Sequence, residues 1–255
     1  MGNEEQIMRI AKAFGNGAHI FVPKEWAGEQ IVLIKPQRKS VRERIISVID
    51  PYLDSVVGVY LYGSYARGEQ IYDSDIDLFI IAERKIKINI EGMHIICLEQ
   101  KELEKAIKLE PLLMYSVLSE AKPIINSKLI EDLKKNYKPK IEDFEEFLKD
   151  CRRIIKINEE FLEAEKDLYL KGEAVIYSIV LRLRGVFILK SLLKGEKYTH
   201  KSLKSWIKGN VPEIDFKSIY EAYRDSKSDK KLKQKIKVND IKSLLKFLEK
   251  EVGKL

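Results

Sequence analysis

The pattern of apolar and polar positions changes twice along the chain. Short β-type runs occupy residues 1–37, a mixture of strand-like and helix-like segments follows over 38–137, and a helical spacing governs 138–255. Pro139 interrupts a lysine-rich helical run at the second boundary. The pattern predicts an α+β protein in which a small β-hairpin module precedes a domain of strands and helices, and an α-helical bundle follows.

The first part contains two short β-type runs, Ala18–Val22 and Gln30–Ile34. The residues between them, Pro23–Gly28, predict a turn or a single helical turn. The stretch resembles a short archaeal mobile-element-associated family and, more distantly, the AbrB-type swapped-hairpin DNA binders. That resemblance implies contact with nucleic acid, whereas the residues alone equally allow a hairpin that docks on the next domain.

The middle of the chain predicts a sheet with helices packed on it. Ser40 and Glu43 have the spacing of a capping box, which predicts a helix from Ser40 to about Leu53. Two short helices are predicted at Glu99–Lys108 and Pro111–Glu120. Runs of β-forming residues predict strands, with a turn at Glu91–Gly92, over Val56–Tyr62, Ile76–Ile81, Ile86–Ile90, Met93–Leu98 and Lys122–Ile125.

The C-terminal part carries two long apolar stripes at three- and four-residue spacing, which predict the core faces of a helical bundle. The first stripe runs from Phe144 to Leu162 and the second from Ala174 to Leu192, where Gly185 predicts close helix packing. Residues 177–203 are loosely similar to HEPN domains, although the Arg-x4-6-His motif of their active ribonucleases is missing. Shorter helices are predicted at Lys201–Lys208, Phe216–Arg224 and Asp240–Val252.

The composition is typical of a soluble globular protein, with 45% hydrophobic and 34% charged residues. No apolar run approaches the ~20 residues that span a bilayer, and the N-terminus lacks a signal-peptide pattern. Cys97 and Cys151 are far apart in sequence and make no metal or disulfide framework. We therefore expect a cytoplasmic protein without a membrane partner.

The net charge of +7 lies in the C-terminal quarter. Residues 200–255 hold 15 Lys and Arg against 8 Asp and Glu, a difference of +7, so the preceding residues balance. A solvated lysine-rich face explains such an excess. A surface for nucleic acid or for an acidic partner is the alternative.

The candidate chemistry lies between Leu61 and Ile80, in LYGSYARGEQIYDSDIDLFI. Gly63 lets main-chain N–H groups approach a bound anion, and the Ser64 hydroxyl adds a donor. Asp75 and Asp77 are two residues apart in a β-forming segment, so their side chains are predicted on the same face of a strand. Two adjacent carboxylates need a cation between them, and oxygen ligands beside a triphosphate favour Mg²⁺, with Mn²⁺ as the alternative.

The order of these residues, Gly-Ser, ten residues, then Asp-x-Asp, resembles the signature of the DNA polymerase β-type nucleotidyltransferase superfamily. The Ala-Arg-Gly and Ser-Asp-Ile-Asp-Leu sequences are most similar to its prokaryotic minimal nucleotidyltransferases. The resemblance implies a nucleotidyltransferase fold over residues 38–137, with a mixed sheet backed by helices. It also implies Mg²⁺-dependent transfer of a nucleoside monophosphate and release of pyrophosphate.

The sequence departs from that family at one position. Most active relatives place a third carboxylate on the strand after Asp-x-Asp, where this chain has His94, while Glu91 and Glu99 lie just outside the strand. His94 could act as a general base, since its unperturbed pKa suits neutral pH, or could be an edge residue without a chemical role. A site with two carboxylates could be slow, could borrow a residue from the C-terminal half, or could bind nucleotide without turnover.

The first functional hypothesis is an enzyme that transfers a nucleoside monophosphate, AMP as the first choice, from a nucleoside triphosphate to a hydroxyl. Asp75 and Asp77 hold the metal and carry catalysis, and Gly63 and Ser64 bind the β- and γ-phosphates. Arg67 neutralises developing charge or, alternatively, pairs with nearby carboxylates. A protein side chain is the first choice of acceptor, before an RNA 3′ end or an aminoglycoside-like molecule, and a homo-oligomer is compatible with this activity.

The second hypothesis is a catalytically degenerate nucleotide-binding protein. It would bind DNA or an acidic partner through the N-terminal hairpin and the basic C-terminus. His94 and the basic C-terminal quarter favour this hypothesis, while the intact Gly-Ser and Asp-x-Asp pair favours the enzyme.

Overall fold

A computed structural model describes residues 7, 9, 11–33, 40–71, 74–170, 172–226 and 235–255. The chain separates into two compact units, residues 1–44 and residues 45–255. The three-part division at residues 37 and 137 stays a prediction. Within the described part of the chain, none of the helices combines the length and the apolar character that a membrane span needs.

The N-terminal unit contains a β-hairpin, as predicted, but its strands overlap the predicted runs only at Ala18 and His19. Strand β1 (Lys12–Phe14) pairs antiparallel with β2 (Gly17–His19) around a two-residue turn in which Gly15 has a φ of +53°. Residues 30–33 are not in a strand, so the predicted strand Gln30–Ile34 is wrong there, and Ile34 lies outside the described residues. The predicted helical turn is a 3₁₀ turn at Lys24–Trp26.

Helix α1 (Val41–Ile49) begins with the predicted capping box. The Glu43 amide donates to the Ser40 hydroxyl over 3.2 Å, and the Ser40 amide donates to the Glu43 carboxylate over 2.7 Å. Pro51 cannot donate the next helical hydrogen bond, and the chain tightens into a 3₁₀ turn at Asp50–Ser55. The α-helix therefore ends at Ile49, before the predicted end near Leu53.

The sheet of the 45–255 unit has four strands in the order β5-β4-β3-β6. Strand β3 (Val56–Tyr62) pairs antiparallel with β4 (Ile76–Ala82) and with β6 (Lys122–Ile125). Strand β5 (Met93–Glu99) runs parallel to β4. These pairings confirm the mixed sheet that the family resemblance implied.

The predicted strand Ile86–Ile90 is wrong, because residues 85–90 are not in a strand. The sequence predicted one strand on each side of the Glu91–Gly92 turn. Since β5 runs parallel to β4, the connecting residues must return to the starting end of the sheet before β5 begins. The connecting residues make this return without forming a strand.

The remaining helices agree with most of the helical predictions, with ends that shift by a few residues. In the C-terminal bundle, helix α7 contacts α4, α6, α9 and α10. The bounds are α2 Gly63–Arg67, α3 Leu103–Leu109, α4 Pro111–Glu120, α5 Ser127–Asn136, α6 Glu145–Ala164, α7 Ala174–Leu193, α8 His200–Asn210, α9 Phe216–Ser226 and α10 Val238–Val252.

One hydrophobic core runs through the 45–255 unit, from the sheet into the helical bundle. Tyr60 and Phe79, on neighbouring strands, have no exposed surface. Helix α4 contacts both β3 and α7, and its buried Met114 and Leu118 belong to the same core. The bundle is therefore packed directly against the sheet that carries the candidate site residues.

Gly185 lies where α7 approaches two other helices, as its place in the apolar stripe predicted. A Cβ atom at this position would lie 2.5 Å from Cζ of Phe147 on α6 and 3.3 Å from Cδ2 of Leu112 on α4. Both distances are shorter than ordinary van der Waals contact. Only a residue without a side chain fits this interface unchanged.

His200, the first residue of α8, is held in a largely apolar and cationic environment. Its Nδ1 atom lies 2.7 Å from the Tyr220 hydroxyl and 3.2 Å from the Tyr198 hydroxyl. Burial lowers the pKa of His200 to about 4, and the Glu69 carboxylate only partly opposes this effect. Three cations lower the pKa further, namely Arg184, Arg67 and Lys204.

We expect Gly185→Ala to lower the free energy of unfolding by about 1–3 kcal/mol, because the added methyl group must displace Phe147 from a packed interface. Gly209→Ala is the matched control. It lies on α8 with nothing within 4 Å of the added Cβ, so the better helix former should leave stability unchanged or raise it by up to about 1 kcal/mol. Urea unfolding measures both changes, and equal effects would contradict the packing role of Gly185.

We expect the free energy of unfolding to decrease between pH 7 and pH 5 because of His200. The unfolded chain binds a proton at this residue near pH 6.5, whereas the folded chain binds it only near pH 4, so the contribution is complete above pH 6.5 and is lost as the pH falls. Urea unfolding across this range, in wild type and in His200→Gln, measures the effect. An equally steep decrease in the variant would assign it to other groups.

Candidate active site

The turn after β3 requires glycine at position 63. Gly63 follows the last residue of the strand, Tyr62, and has a φ of +69°, which lies in the region that side chains disfavour. A Cβ atom at Gly63 would also lie only 2.0 Å from Oδ2 of Asp77. The main chain of the turn therefore passes directly against this carboxylate.

Strand pairing brings the two halves of the sequence motif together. Tyr62 on β3 lies opposite Asp77 on β4, so Gly63 and Ser64 emerge from the sheet beside the carboxylate. The Ser64 amide donates a hydrogen bond to Asp77. Asp75, just before β4, is exposed. The structure thus places Gly63, Ser64, Asp75 and Asp77 at one end of the β3–β4 pair, although Asp75 precedes the strand on which both aspartates were expected.

The surroundings of Asp77 disfavour its ionised form. Burial raises its pKa, and the nearby charge of Asp75 raises it further, while His94, Arg67 and the Ser64 amide act in the opposite direction. The balance is a raised pKa, which means that the site disfavours the ionised carboxylate. A cation bound between the two carboxylates would remove this penalty.

The donor set fits a divalent cation that brings other ligands with it. Within the described residues, no group of three or more His, Cys, Asp or Glu side chains could hold a metal ion. The pair Asp75 and Asp77 therefore supplies two carboxylates. Mg²⁺ fits such a pair, since it usually keeps several waters and binds substrate phosphates in addition to one or two carboxylates.

His94 lies beside Asp77 on the neighbouring strand. The two residues are partners in the parallel β4–β5 register. His94 Nδ1 is 3.1 Å from the Tyr62 hydroxyl and 3.5 Å from Oδ1 of Asp77, while 64% of the side chain is exposed. His94 therefore lies directly beside Asp77, while its alignment with the third carboxylate of the family stays a prediction.

Neither of the two nearby acids is the sheet partner of Asp77. Glu91 is in the turn before β5. Glu99 is the last residue of β5, pairs with Ala82 in the sheet register and forms an ion pair with Lys101. Glu99 lies five positions after His94 along β5, a distance of about 16 Å.

Arg67, at the end of α2, is engaged by two carboxylates. Its Nε donates to Oε2 of Glu69 over 2.8 Å, and its Nη1 donates to Oε2 of Glu120 over 2.5 Å. Its guanidinium group also lies 5.2 Å from the ring centroid of Tyr198, and only 11% of the side chain is exposed. This is the alternative role considered for Arg67 in the sequence, as a partner of nearby carboxylates.

Glu120 is a component of the site that sequence reasoning missed. It is the last residue of α4, its side chain is 5% exposed, and the same Oε2 atom also accepts the Gly63 amide over 3.1 Å. Burial raises its pKa, while Arg67 and the Gly63 amide oppose the shift. The sequence did contain a signal for a special role of Glu120, because a carboxylate at the C-terminal end of an apolar helix is disfavoured by the helix dipole.

A sequence profile of the family described as "Polymerase beta, Nucleotidyltransferase" matches residues 43–176, just over half of the chain. No curated protein matches the chain.

Among solved structures, spectinomycin adenyltransferase AAD(9) from Enterococcus faecialis, solved with ATP and spectinomycin, is similar with a TM-score of 0.45 and 14% identity. The similarity covers 82% of this chain and 97% of that one. The matched profile includes the turn at Gly63 and Ser64 as well as Asp75 and Asp77. The chain belongs to the polymerase beta nucleotidyltransferase family.

Proposed function

We propose that this nucleotidyltransferase moves AMP from ATP to a hydroxyl group, with release of pyrophosphate. The proposal rests on the direct contact between the Gly63–Ser64 turn and Asp77. Gly63 packs against the Asp77 carboxylate, and the Ser64 amide donates a hydrogen bond to it. A phosphate group at the turn and a metal ion at the carboxylates would then be neighbours. Simple nucleotide binding does not require that arrangement.

Asp75 and Asp77 would hold Mg²⁺, or Mn²⁺ in its place. The bound ion supplies positive charge at the entering and leaving oxygens of the α-phosphoryl group. The Ser64 hydroxyl would bind the β- and γ-phosphates, and Gly63 would let them approach the main chain. Arg67 would stabilise the negative charge of the phosphates from the C-terminal end of α2, where it is paired with Glu69 and Glu120.

His94 would act as the general base. With Nδ1 facing Tyr62 and Asp77, the Nδ1–H tautomer leaves Nε2 free to take a proton from the acceptor hydroxyl. The acceptor oxygen then forms a bond to the α-phosphorus as the bond to the β-phosphate bridging oxygen breaks. Pyrophosphate leaves, and the proton ends on His94.

A protein side chain is the acceptor that we propose. The 64% exposure of the His94 side chain supports a large acceptor, because a hydroxyl on a macromolecular surface could reach it without entering a closed cavity. An RNA 3′ end and an aminoglycoside-like molecule are the other outcomes of the same labelling experiment.

A second candidate function, a nucleotide-binding protein without turnover, is favoured by one observation. Glu120 engages both the Gly63 amide and Arg67, two of the groups predicted to serve the phosphates. In that case the N-terminal hairpin and the basic C-terminal quarter would bind DNA or an acidic partner. The signature would be DNA binding that weakens steeply with added salt.

We expect Asp77→Asn to reduce nucleotide transfer by about 10³-fold or more, because the loss of a metal-binding carboxylate removes several kcal/mol of transition-state stabilisation. The protein is incubated with α-labelled ATP, CTP, GTP or UTP, Mg²⁺ and a lysate of its source, and label is followed on protein, RNA and small molecules. Asp132→Asn, an exposed aspartate on α5, is the matched control. Equal labelling by wild type and Asp77→Asn would refute the mechanism, and ATP binding without any labelling would favour the second candidate.

We expect His94→Ala to reduce the transfer rate by about 10²–10⁴-fold, the usual contribution of a general base, with MgATP affinity unchanged. His94→Glu, which restores a carboxylate at the position beside Asp77, should retain more activity than His94→Ala. Single-turnover labelling gives the rate, and calorimetric titration gives the affinity. If His94→Ala transfers label as fast as wild type, the residue is an edge position without a chemical role.

A further inference from the structure

The loop after α2 is attached to the first turn of α8. Oε1 of Glu69 accepts the main-chain amide of His200 over 2.8 Å, and Oε2 of the same carboxylate accepts Nε of Arg67 over 2.8 Å. The Glu69 side chain is 20% exposed. These contacts among Arg67, Glu69 and the His200 amide are called the Glu69 bridge below.

The Glu69 bridge continues to the candidate nucleotide turn. Arg67 donates its second hydrogen bond to Glu120, and Glu120 also accepts the Gly63 amide. An unbroken series of hydrogen bonds therefore joins the amide of His200 in the helical bundle to the amide of Gly63. Each of them includes a charged group, which makes it stronger than a bond between neutral groups.

Helix α2 depends on such contacts for its position. It has five residues, and the residues that it buries are Gly63 and Ala66. A helix of this length has no stability of its own in water, and two small residues provide little apolar packing. We therefore expect the ion pairs of Arg67 with Glu69 and Glu120, at the C-terminal end of α2, to contribute much of what holds this helix in position.

We propose that Glu69 is a positioning residue, which holds Arg67 against the His200 amide and so makes the first turn of α8 part of the support for the nucleotide turn. The inference rests on the proposed function, because it assigns the Gly63–Ser64 turn to nucleotide. Through Glu69, the helical bundle would help to place the triphosphate, although Glu69 itself would not contact the triphosphate.

The main-chain amide of His200 can be removed selectively. His200 is the first residue of α8, a position where proline is well tolerated, and the preceding Thr199 has φ −140° and ψ 154°, the extended conformation that proline favours in the residue before it. His200→Pro therefore removes the N–H that Glu69 accepts. His200→Ala is the matched control, since it removes the imidazole but keeps the N–H.

The measurement is the dissociation constant of MgATP for both full-length variants and for wild type, by calorimetric titration well below their melting temperatures. We expect His200→Pro to bind MgATP about tenfold more weakly than His200→Ala, which corresponds to the loss of one hydrogen bond to a charged group. A purely structural role would lower the melting temperature of His200→Pro and leave the two dissociation constants equal. That result would overturn the inference while the proposed function stands.

Glu69→Gln provides a second test if His200→Pro does not fold. Its matched control is Glu104→Gln, which removes a carboxylate from an exposed ion pair with Lys108 on α3. We expect weaker MgATP binding in Glu69→Gln and wild-type binding in Glu104→Gln, and equal binding in both would overturn the inference. No MgATP binding by wild type would overturn the proposed function and this inference together.

Discussion

The approach of Gly63 to Asp77 is the constraint on which the candidate site depends. The antiparallel pairing of β3 with β4 sets Tyr62 opposite Asp77, and the chain must then turn at once with a positive φ and pass within contact distance of a carboxylate. Each requirement alone favours glycine, and together they exclude any side chain. The Gly-Ser and Asp-x-Asp parts of the motif are therefore two sides of one contact, although ten residues separate them in sequence.

Charge placement explains why Arg67 is buried. Glu120 and Glu69 bring two carboxylates to the C-terminal end of α2, and each would be unfavourable in a partly buried position without a cation. Arg67 serves both, with the fork geometry of its guanidinium group. The consequence is that its Nε and Nη1 atoms are hydrogen-bonded to protein carboxylates, while its charge acts on the Gly63–Ser64 turn from the C-terminal end of α2.

Local patterns predicted the parts of the structure that depend on local physics. Periodicity placed the strands β3, β4 and β5 and the helix α4, and the Ser40–Glu43 spacing predicted a capping box that the structure contains. The hairpin strands were misplaced because the Gly15-Asn16 turn was not recognised as the turn. The partners of Glu120 and of the His200 amide could not be found in this way, since these contacts join residues that are 57 and 131 positions apart in sequence.

His94, at the position where the family resemblance predicted a third carboxylate, affects the electrostatics of the site as well as its proton chemistry. Burial and Asp75 already raise the pKa of Asp77, and a third negative charge in the place of His94 would raise it further. A histidine there lowers that pKa instead. An imidazole also offers no oxygen ligand, so a bound cation would rely more on water and on substrate phosphates for its shell. Under the proposed function, such a site would hold its metal ion chiefly together with the nucleotide, and turnover would then depend on how the Gly63–Ser64 turn places the nucleotide.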